Sequence, residues 1–207
     1  METKPVIIIE FLEEKLTPWL LLEIRHASII YGREYLWITN TPVKYQRLLS
    51  RYGYVYSDSV IDLVSNNRIN AGDVIVLDPI ASKPLEYLDL VRFKFVVIGG
   101  ILGDHPPQRR THKYITSKLP SNINARNIGD NQYSIDGSVF YVNYMLINKS
   151  MSNYKYVDGV LLKRDDREIY LPFRYPVVNG KPLLTPGLEE YLFTGEIPDY
   201  IRKELES

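Results

Sequence analysis

The stretch FKFVVIGGILGDHPP, residues 93–107, decides the fold of this chain. Its first six residues form a mostly apolar, β-branched run of the kind that builds a buried parallel strand. The run leads directly into three glycines, an Asp-His pair and two prolines. Glycines let main-chain NH groups approach a ligand closely, and prolines stiffen the chain. Because open α/β sheets bind ligands at the carboxyl ends of their strands, the stretch predicts a binding loop, with a tight structural turn as the alternative.

The composition of the chain fits one substantial α/β domain, which we expect to span residues 1–207. The sequence is 45% hydrophobic, enough for a sizeable core. Lys plus Arg and Asp plus Glu both count 25, so the chain lacks the overall basicity of a non-specific nucleic-acid binder. The absence of cysteine excludes disulfides and a cysteine nucleophile. No apolar run approaches the roughly 18 residues of a membrane span, and no signal peptide is evident, so a cytoplasmic protein is expected.

Strand-like and helix-like segments alternate along the chain. Thr17-Pro18 and Thr41-Pro42 each combine a helix-capping residue with a proline suited to a first helical turn. Alternating β and α units predict an α/β fold with a mostly parallel sheet flanked by helices. Residues 160–185, with several prolines and an Asn-Gly pair, predict a hairpin-like excursion. The predicted strands are residues 6–9, 35–39, 74–77, 95–98 and 123–127, and helices are predicted from 17 to 31, 42 to 52, 60–66, 85–91, 110–118, 134–147, 187–193 and 199–205.

Polar residues gather where three of these segments end. Leu77-Asp78-Pro79 follows one buried strand, the glycine loop follows another, and RNIGDNQYSID, residues 126–136, follows a third apolar segment. Parallel strands bring their carboxyl ends to one edge of a sheet. The sequence therefore predicts one pocket built from three loops.

At these residues the chain resembles a known family. GGILGDHPP, together with VIVLDP, RNIGDNQYSID, LPFRYPVVNGKP and the amino-terminal FLEEKLTPWLLLE, is similar to the SPOUT-class methyltransferase family of archaea and eukaryotes that includes the fungal ribosomal-protein arginine methyltransferase. The resemblance covers residues 9–191. It implies a carboxyl-terminal trefoil knot, S-adenosylmethionine as cofactor, no metal, and a monomer in preference to a knot-mediated dimer.

The resemblance also implies which residues hold the cofactor. It places them in the three loops identified above, with main-chain groups and apolar side chains facing the adenine. A bulky side chain at Gly100, as in Gly100→Val, is expected to block the cofactor. The residues assigned to cofactor binding are Leu77, Asp78, Pro79, Gly99, Gly100, Ile101, Leu102, Gly103, Asp104, His105, Ile128, Gly129, Asp130, Gln132 and Ser134.

Two acceptors are compatible with this cofactor site. The arginine of a ribosomal protein has a pKa of about 12.5 to 13.8, so a carboxylate that orients it and takes a proton would help. Asp104 is the first candidate, followed by Glu13, Glu14 and Asp136. A tRNA or rRNA acceptor would instead need basic residues near the pocket, and substrate binding is assigned to Arg109, Arg110 and Lys113, with His112 and Lys118 in the same cluster.

Simpler roles remain open for several of these residues. Asp78 before Pro79 suits a turn, Asp130 and Asp136 suit helix caps, and His105 could fix the glycine loop. A metal-dependent hydrolase using Asp78, Asp104, His105 and Asp136 is a weaker alternative. The chain has only three histidines, and no two stand at ligand spacing.

Overall fold

The computed structural model describes residues 4–103 and 108–206, and its main feature is a six-stranded sheet. The strand order is β3-β2-β1-β5-β4-β6, and every neighbouring pair is parallel. The mostly parallel sheet flanked by helices, predicted from the alternation, is thereby confirmed. The elements of this part are β1 (Val6–Phe11), α1 (Pro18–Tyr31), β2 (Leu36–Thr39), α2 (Val43–Leu49), β3 (Tyr54–Val55), α3 (Val60–Ser65), β4 (Val74–Leu77), α4 (Tyr87–Arg92), β5 (Phe95–Gly100), α5 (Arg110–Tyr114), β6 (Asn124–Arg126) and α6 (Ile135–Asn148).

The sheet is buried on both faces, which explains the continuous apolar runs of its central strands. Ile7 and Ile9 of β1 join the core on the side of α1 and α6, while Ile8 joins a second core with α3. All three are fully buried. Parallel sheets need such cover on both faces, so their strands lose the alternation of polar and apolar residues. Within the described ranges, no helix is long and apolar enough to cross a membrane.

The two predicted Thr-Pro helix starts behave differently. Thr17 caps α1, because its Oγ1 accepts a hydrogen bond of 3.2 Å from the backbone N–H of Leu20, and the helix ends at Gly32 as predicted. Thr41 does not cap α2. Its Oγ1 donates instead to the carbonyl of Ile38 at 3.2 Å, and α2 begins two residues later without a side-chain cap. The same dipeptide therefore caps a helix at Thr17, whereas at Thr41 its hydroxyl binds a carbonyl of strand β2.

A hairpin-like unit follows the sheet, as predicted, but it begins earlier than residue 160. It comprises β7 (Tyr156–Arg164), β8 (Arg167–Val178) and β9 (Lys181–Pro182), in the antiparallel order β7-β8-β9. Helices α7 (Leu188–Thr194) and α8 (Asp199–Glu206) follow. Pro172 is tolerated in the long strand β8 because it lies at an irregularity of the β7–β8 ladder, where the register passes from Leu171 to Arg174 and leaves Pro172 unpaired.

Other predicted boundaries need correction. The predicted helix over 110–118 divides into α5 and a short 3-10 turn at Thr116–Lys118. Strand β6 is three residues long, and the edge strand β3 was not predicted at all. Short edge strands carry little hydrophobic pattern, which is why sequence reasoning misses them.

Candidate functional site

The candidate site is a cavity of about 380 Å³ at the carboxyl ends of β4 and β5. All three predicted loops contribute to its wall, so the prediction of one pocket agrees with the structure. Additional lining residues that the sequence did not single out include Ile98, Thr111, Tyr133, Ile135 and Ser138. The expected cofactor and substrate residues that line it are Leu77, Asp78, Pro79, Gly99, Ile101, Gly103, Ile128, Gly129, Asp130, Gln132, Arg109 and Arg110.

Gly100, Leu102 and Ser134 belong to the expected cofactor set but do not line the described cavity. A Cβ at Gly100 would lie 2.7 Å from the carbonyl oxygen of Glu10, so this glycine lets β1 and β5 approach. Gly100→Val would therefore disturb the sheet rather than simply fill the pocket. Asp104 and His105 lie outside the described residues, and their expected roles remain predictions.

Asp78 is held by two contacts at the end of β4. Its Oδ1 accepts a hydrogen bond of 3.1 Å from the N–H of Ile80, two residues on, which is the turn expected of an Asp-Pro pair. Its Oδ2 lies 2.9 Å from Nδ1 of His112 on α5. His112, expected in a basic cluster, thus ties α5 to the cavity wall.

The loop between β6 and α6, residues 127–134, is fixed at both ends. Ser134 caps α6, because its Oγ accepts a hydrogen bond of 3.2 Å from the N–H of Gly137. Asp130, for which a capping role was open, pairs instead with Arg174 of β8 at 3.0 Å. Asp136 also contributes at the helix start: its Oδ1 accepts a hydrogen bond of 2.9 Å from the N–H of Gly137. Its Oδ2 lies 2.7 Å from His26 Nδ1 and accepts a hydrogen bond from Thr185.

The candidate carboxylates differ in their access to the site. Glu13 Oε1 accepts a hydrogen bond of 2.9 Å from the N–H of Leu102, so this side chain lies against the glycine loop. Among the described residues, Glu13 Oε2 has no hydrogen-bond partner. Glu14 is exposed. Asp136 is 1% exposed and lies beside Glu23, whose pKa is raised by burial and by that neighbouring charge, so Asp136 is a structural group.

The expected substrate-binding basic residues are dispersed. Arg110 lines the cavity and donates a hydrogen bond to the carbonyl of Leu102, which supports the glycine loop. Arg109 lines the cavity with a φ of 55°. Lys113 is exposed on α5 and lies over the ring of Tyr114 at 5.1 Å, away from the lining.

Arg174 is the main residue near the site that sequence reasoning missed. It lies in the LPFRYPVVNGKP segment, as the one charged residue of the run LPFRYPVV, residues 171–178. The residue is only 5% exposed, and its ion pair with Asp130 joins it to the cavity wall. A charged residue in an otherwise uncharged run was the available signal, since buried arginines are rarely without a paired carboxylate.

Comparison with solved structures defines the class of fold. The crystal structure of dual-specific Trm10 from Thermococcus kodakaraensis matches with a TM-score of 0.55 at 19% identity, over 70% of this chain and 94% of that chain. The crystal structure of the yeast arginine methyltransferase SFM1 complexed with SAM matches with a TM-score of 0.80 at 27% identity, over 99% and 93% of the two chains. The predicted SPOUT-type α/β fold is confirmed, and the trefoil knot stays a prediction.

Sequence comparison then defines the family. The family model described as "Protein arginine N-methyltransferase SFM1-like" matches residues 6–197. Protein arginine N-methyltransferase SFM1 of Saccharomyces cerevisiae is 30% identical over 195 residues, with 87% of this chain and 91% of that protein covered. This chain belongs to the SFM1-like family of protein arginine N-methyltransferases. The resemblance seen in the sequence is thereby confirmed.

Proposed function

We propose that this protein is an S-adenosylmethionine-dependent methyltransferase that modifies an arginine side chain of a protein substrate. The observation that carries the proposal is the cavity built from three strand-end loops in a chain that belongs to the SFM1-like family. Relatives of this fold have been solved as complexes with SAM, SAH and MTA. The same three loops in this chain would hold the cofactor.

The residues present fit such a cofactor. A cavity of about 380 Å³ is within the usual size of a small-molecule site. Leu77, Ile98 and Ile128 give it apolar walls suited to an adenine ring. Gly99 and Gly103 also line the cavity, and neither position has room for a side chain: a Cβ at Gly99 would lie 2.9 Å from Thr111 Oγ1, and one at Gly103 would overlap the ring of Phe173. The glycines therefore let this loop pack closely against α5 and β8 beside the cavity.

Methyl transfer to arginine requires the protein to position the acceptor guanidinium and to take a proton from it. When bound, S-adenosylmethionine supplies a methyl group that an arginine nitrogen takes by in-line displacement, and the sulfur keeps the electron pair of the broken C–S bond. Asp104 is proposed to orient the guanidinium, with Glu13 beside the glycine loop as the second carboxylate. Because the incoming guanidinium is protonated, a carboxylate that takes its proton lowers the barrier.

We further propose that the substrate is a ribosomal protein and that the enzyme acts in the cytoplasm as a monomer. A net charge of zero favours a protein substrate, since a non-specific RNA-binding surface would be basic. Light scattering across a concentration series tests the oligomeric state. A constant mass of one chain is expected, and a dimer at all concentrations would contradict the proposal.

An RNA acceptor is the second candidate, because Arg109 and Arg110 line the cavity. Transfer of labelled methyl groups from S-adenosylmethionine into ribosomal and tRNA fractions separates the two. We expect label that protease removes and nuclease does not, recovered as methylarginine after hydrolysis. Label removed only by nuclease would favour the RNA acceptor and contradict the arginine assignment. Absence of cofactor binding by folded protein would contradict both.

A further inference from the structure

Strand β8 carries two consecutive residues that contact the cavity wall from opposite faces. Phe173 lies on the inner face with Leu171 and Tyr175, and its ring occupies the space next to Gly103. Arg174 lies on the other face, beside Tyr156 and Asp158 of β7. Neither residue lines the cavity itself. The hairpin therefore supports the site from outside it.

The guanidinium of Arg174 is fixed by the hairpin. Its Nε and Nη2 donate to the two oxygens of Asp158 at 2.6 and 2.8 Å, a two-point contact that sets the plane of the group. The guanidinium carbon lies 4.0 Å from the ring centre of Tyr156. With its side chain 6% exposed, Arg174 is held in one orientation by neighbours from its own hairpin.

The remaining side of Arg174 faces the loop between β6 and α6. Nη1 lies 3.0 Å from Oδ1 of Asp130, and a Cβ added at Gly129 would lie 2.7 Å from the same nitrogen. The φ of Gly129 is 112°, which favours glycine independently of space. The backbone N–H of Arg174 donates to the carbonyl of Gln132 at 2.7 Å. Gly129, Asp130 and Gln132 of this loop therefore all contact Arg174.

We propose that Arg174 is a positioning residue that holds residues 129–132 in the shape the cofactor requires. A loop already ordered in the free protein spares the ligand the entropic cost of ordering it, so preformed loops bind more tightly. Gly129, Asp130 and Gln132 line the cavity, so a shift of this loop changes the wall directly. The identity of the ligand as S-adenosylmethionine rests on the proposed function, whereas the ordering of the loop does not.

The first test uses Arg174→Lys, which keeps the charge but loses the planar fork that reaches two carboxylates at once. The KM for S-adenosylmethionine is expected to rise roughly tenfold or more, about 1.4 kcal/mol in binding, with kcat changed less than the KM. Amide hydrogen exchange at residues 128–133 should quicken in the variant without any cofactor. Wild-type cofactor affinity together with wild-type exchange in this loop would overturn the proposal.

The matched control is Arg25→Lys. Arg25 also contacts a carboxylate through Nε and Nη2, that of Glu204 at 3.1 and 2.7 Å, but it joins α1 to α8. This variant is expected to keep the wild-type KM for cofactor and wild-type exchange in the loop. An equal rise in KM in both variants would indicate general loosening and contradict a specific role of Arg174.

Two further variants separate positioning from folding. In Arg174→Ala, millimolar guanidinium ion should restore part of the cofactor affinity, whereas the same concentration of sodium should not. Asp158→Asn leaves Arg174 in place but weakens its orientation, and Asp158 is half-exposed, so the chain should still fold. Its cofactor KM should rise as well, and the double variant should lose less than the two single losses combined. Full additivity, with no rescue by guanidinium, would contradict the proposal.

Discussion

Glu10 is a buried carboxyl group at the end of β1, 1% exposed. Its Oε2 accepts hydrogen bonds from the hydroxyl of Thr39 and from the N–H of Val60 at the start of α3. These contacts join two strands and a helix near the edge of the sheet that carries the cavity. Burial outweighs them and raises the pKa of Glu10 to about 7.

Stability should therefore fall as the pH rises from about 4.5 to about 7. Over this window the folded state keeps the Glu10 proton while the unfolded chain, with a pKa near 4.5, has lost it. The pKa difference corresponds to a loss of about 3 kcal/mol. Glu10→Gln cannot ionise and keeps an acceptor oxygen, so its free energy of unfolding in urea should fall less across this window. Exposed Glu190→Gln is the control, and equal slopes for wild type and Glu10→Gln would contradict the prediction.

Glu13 allows a prediction about catalysis. Glu13→Gln keeps an oxygen that can accept from Leu102, so the glycine loop should hold its shape, but the carboxylate charge is lost. If Glu13 helps to orient the guanidinium or takes its proton, kcat should fall roughly 100-fold. The affinity for S-adenosylmethionine, measured by calorimetry, should stay within a factor of two or so of wild type. A wild-type kcat in Glu13→Gln would contradict a catalytic role of Glu13.

At the scale of elements, α6 links the cavity to the core. Ile135 and Ser138 of this helix line the cavity, and α6 packs along α1. Its first turn is held by the Ser134 cap and by Glu23 of α1, which accepts a hydrogen bond of 2.9 Å from the N–H of Ile135. The position of the helix start therefore sets one side of the pocket.

Removing the cap should weaken this arrangement. Ser134→Ala deletes an acceptor for the N–H of Gly137 and should cost about 1 kcal/mol of stability. For a chain of this size that lowers the Tm by roughly 2–4 °C, measurable by calorimetry. Ser121→Ala, at an exposed position, should leave the Tm unchanged. An unchanged Tm in Ser134→Ala would show that Glu23 and Asp136, whose Oδ1 also accepts from the N–H of Gly137 at 2.9 Å, hold the helix start without the serine.

The elements also show what the sequence could and could not reveal. β1, β4 and β5 were predictable because strands that are buried on both faces have continuous apolar sequences. β7 was not, since its alternation is interrupted by Gly159 and most of its residues are at least partly exposed. Strand β7 is stabilised by pairing with β8, and the local sequence of β7 does not indicate this contact.

At the scale of the whole molecule, binding should stabilise the fold by mass action. S-adenosylmethionine at 100 times its Kd should add about 2.7 kcal/mol to the free energy of unfolding. The Tm should then rise by roughly 5–10 °C, and S-adenosylhomocysteine should act in the same direction. Differential scanning fluorimetry with ATP as an adenine-containing control tests this. A rise equal to that caused by ATP would contradict a specific site.

Only part of the site could be predicted from the sequence. The glycine loop, Leu77 to Pro79 and Ile128 to Asp130 were accessible because each follows an apolar segment, and strand ends gather at one edge of a parallel sheet. Arg174 was not accessible, because it reaches the cavity wall only after the hairpin has folded back on the loop. Gly100 is a different case: its expected contact with the cofactor stays a prediction, and the structure shows that it also lets two strands approach closely.

The place of the hairpin in the sequence bears on how the protein is made. Chains emerge from the ribosome amino terminus first, so all six strands of the parallel sheet leave it before Arg174 and Asp158 do. A nascent chain that has completed the sheet still lacks the guanidinium that meets Gly129 and Asp130. Competence to bind the cofactor therefore arrives late in synthesis, and a chain stalled before residue 174 carries the sheet without an ordered pocket.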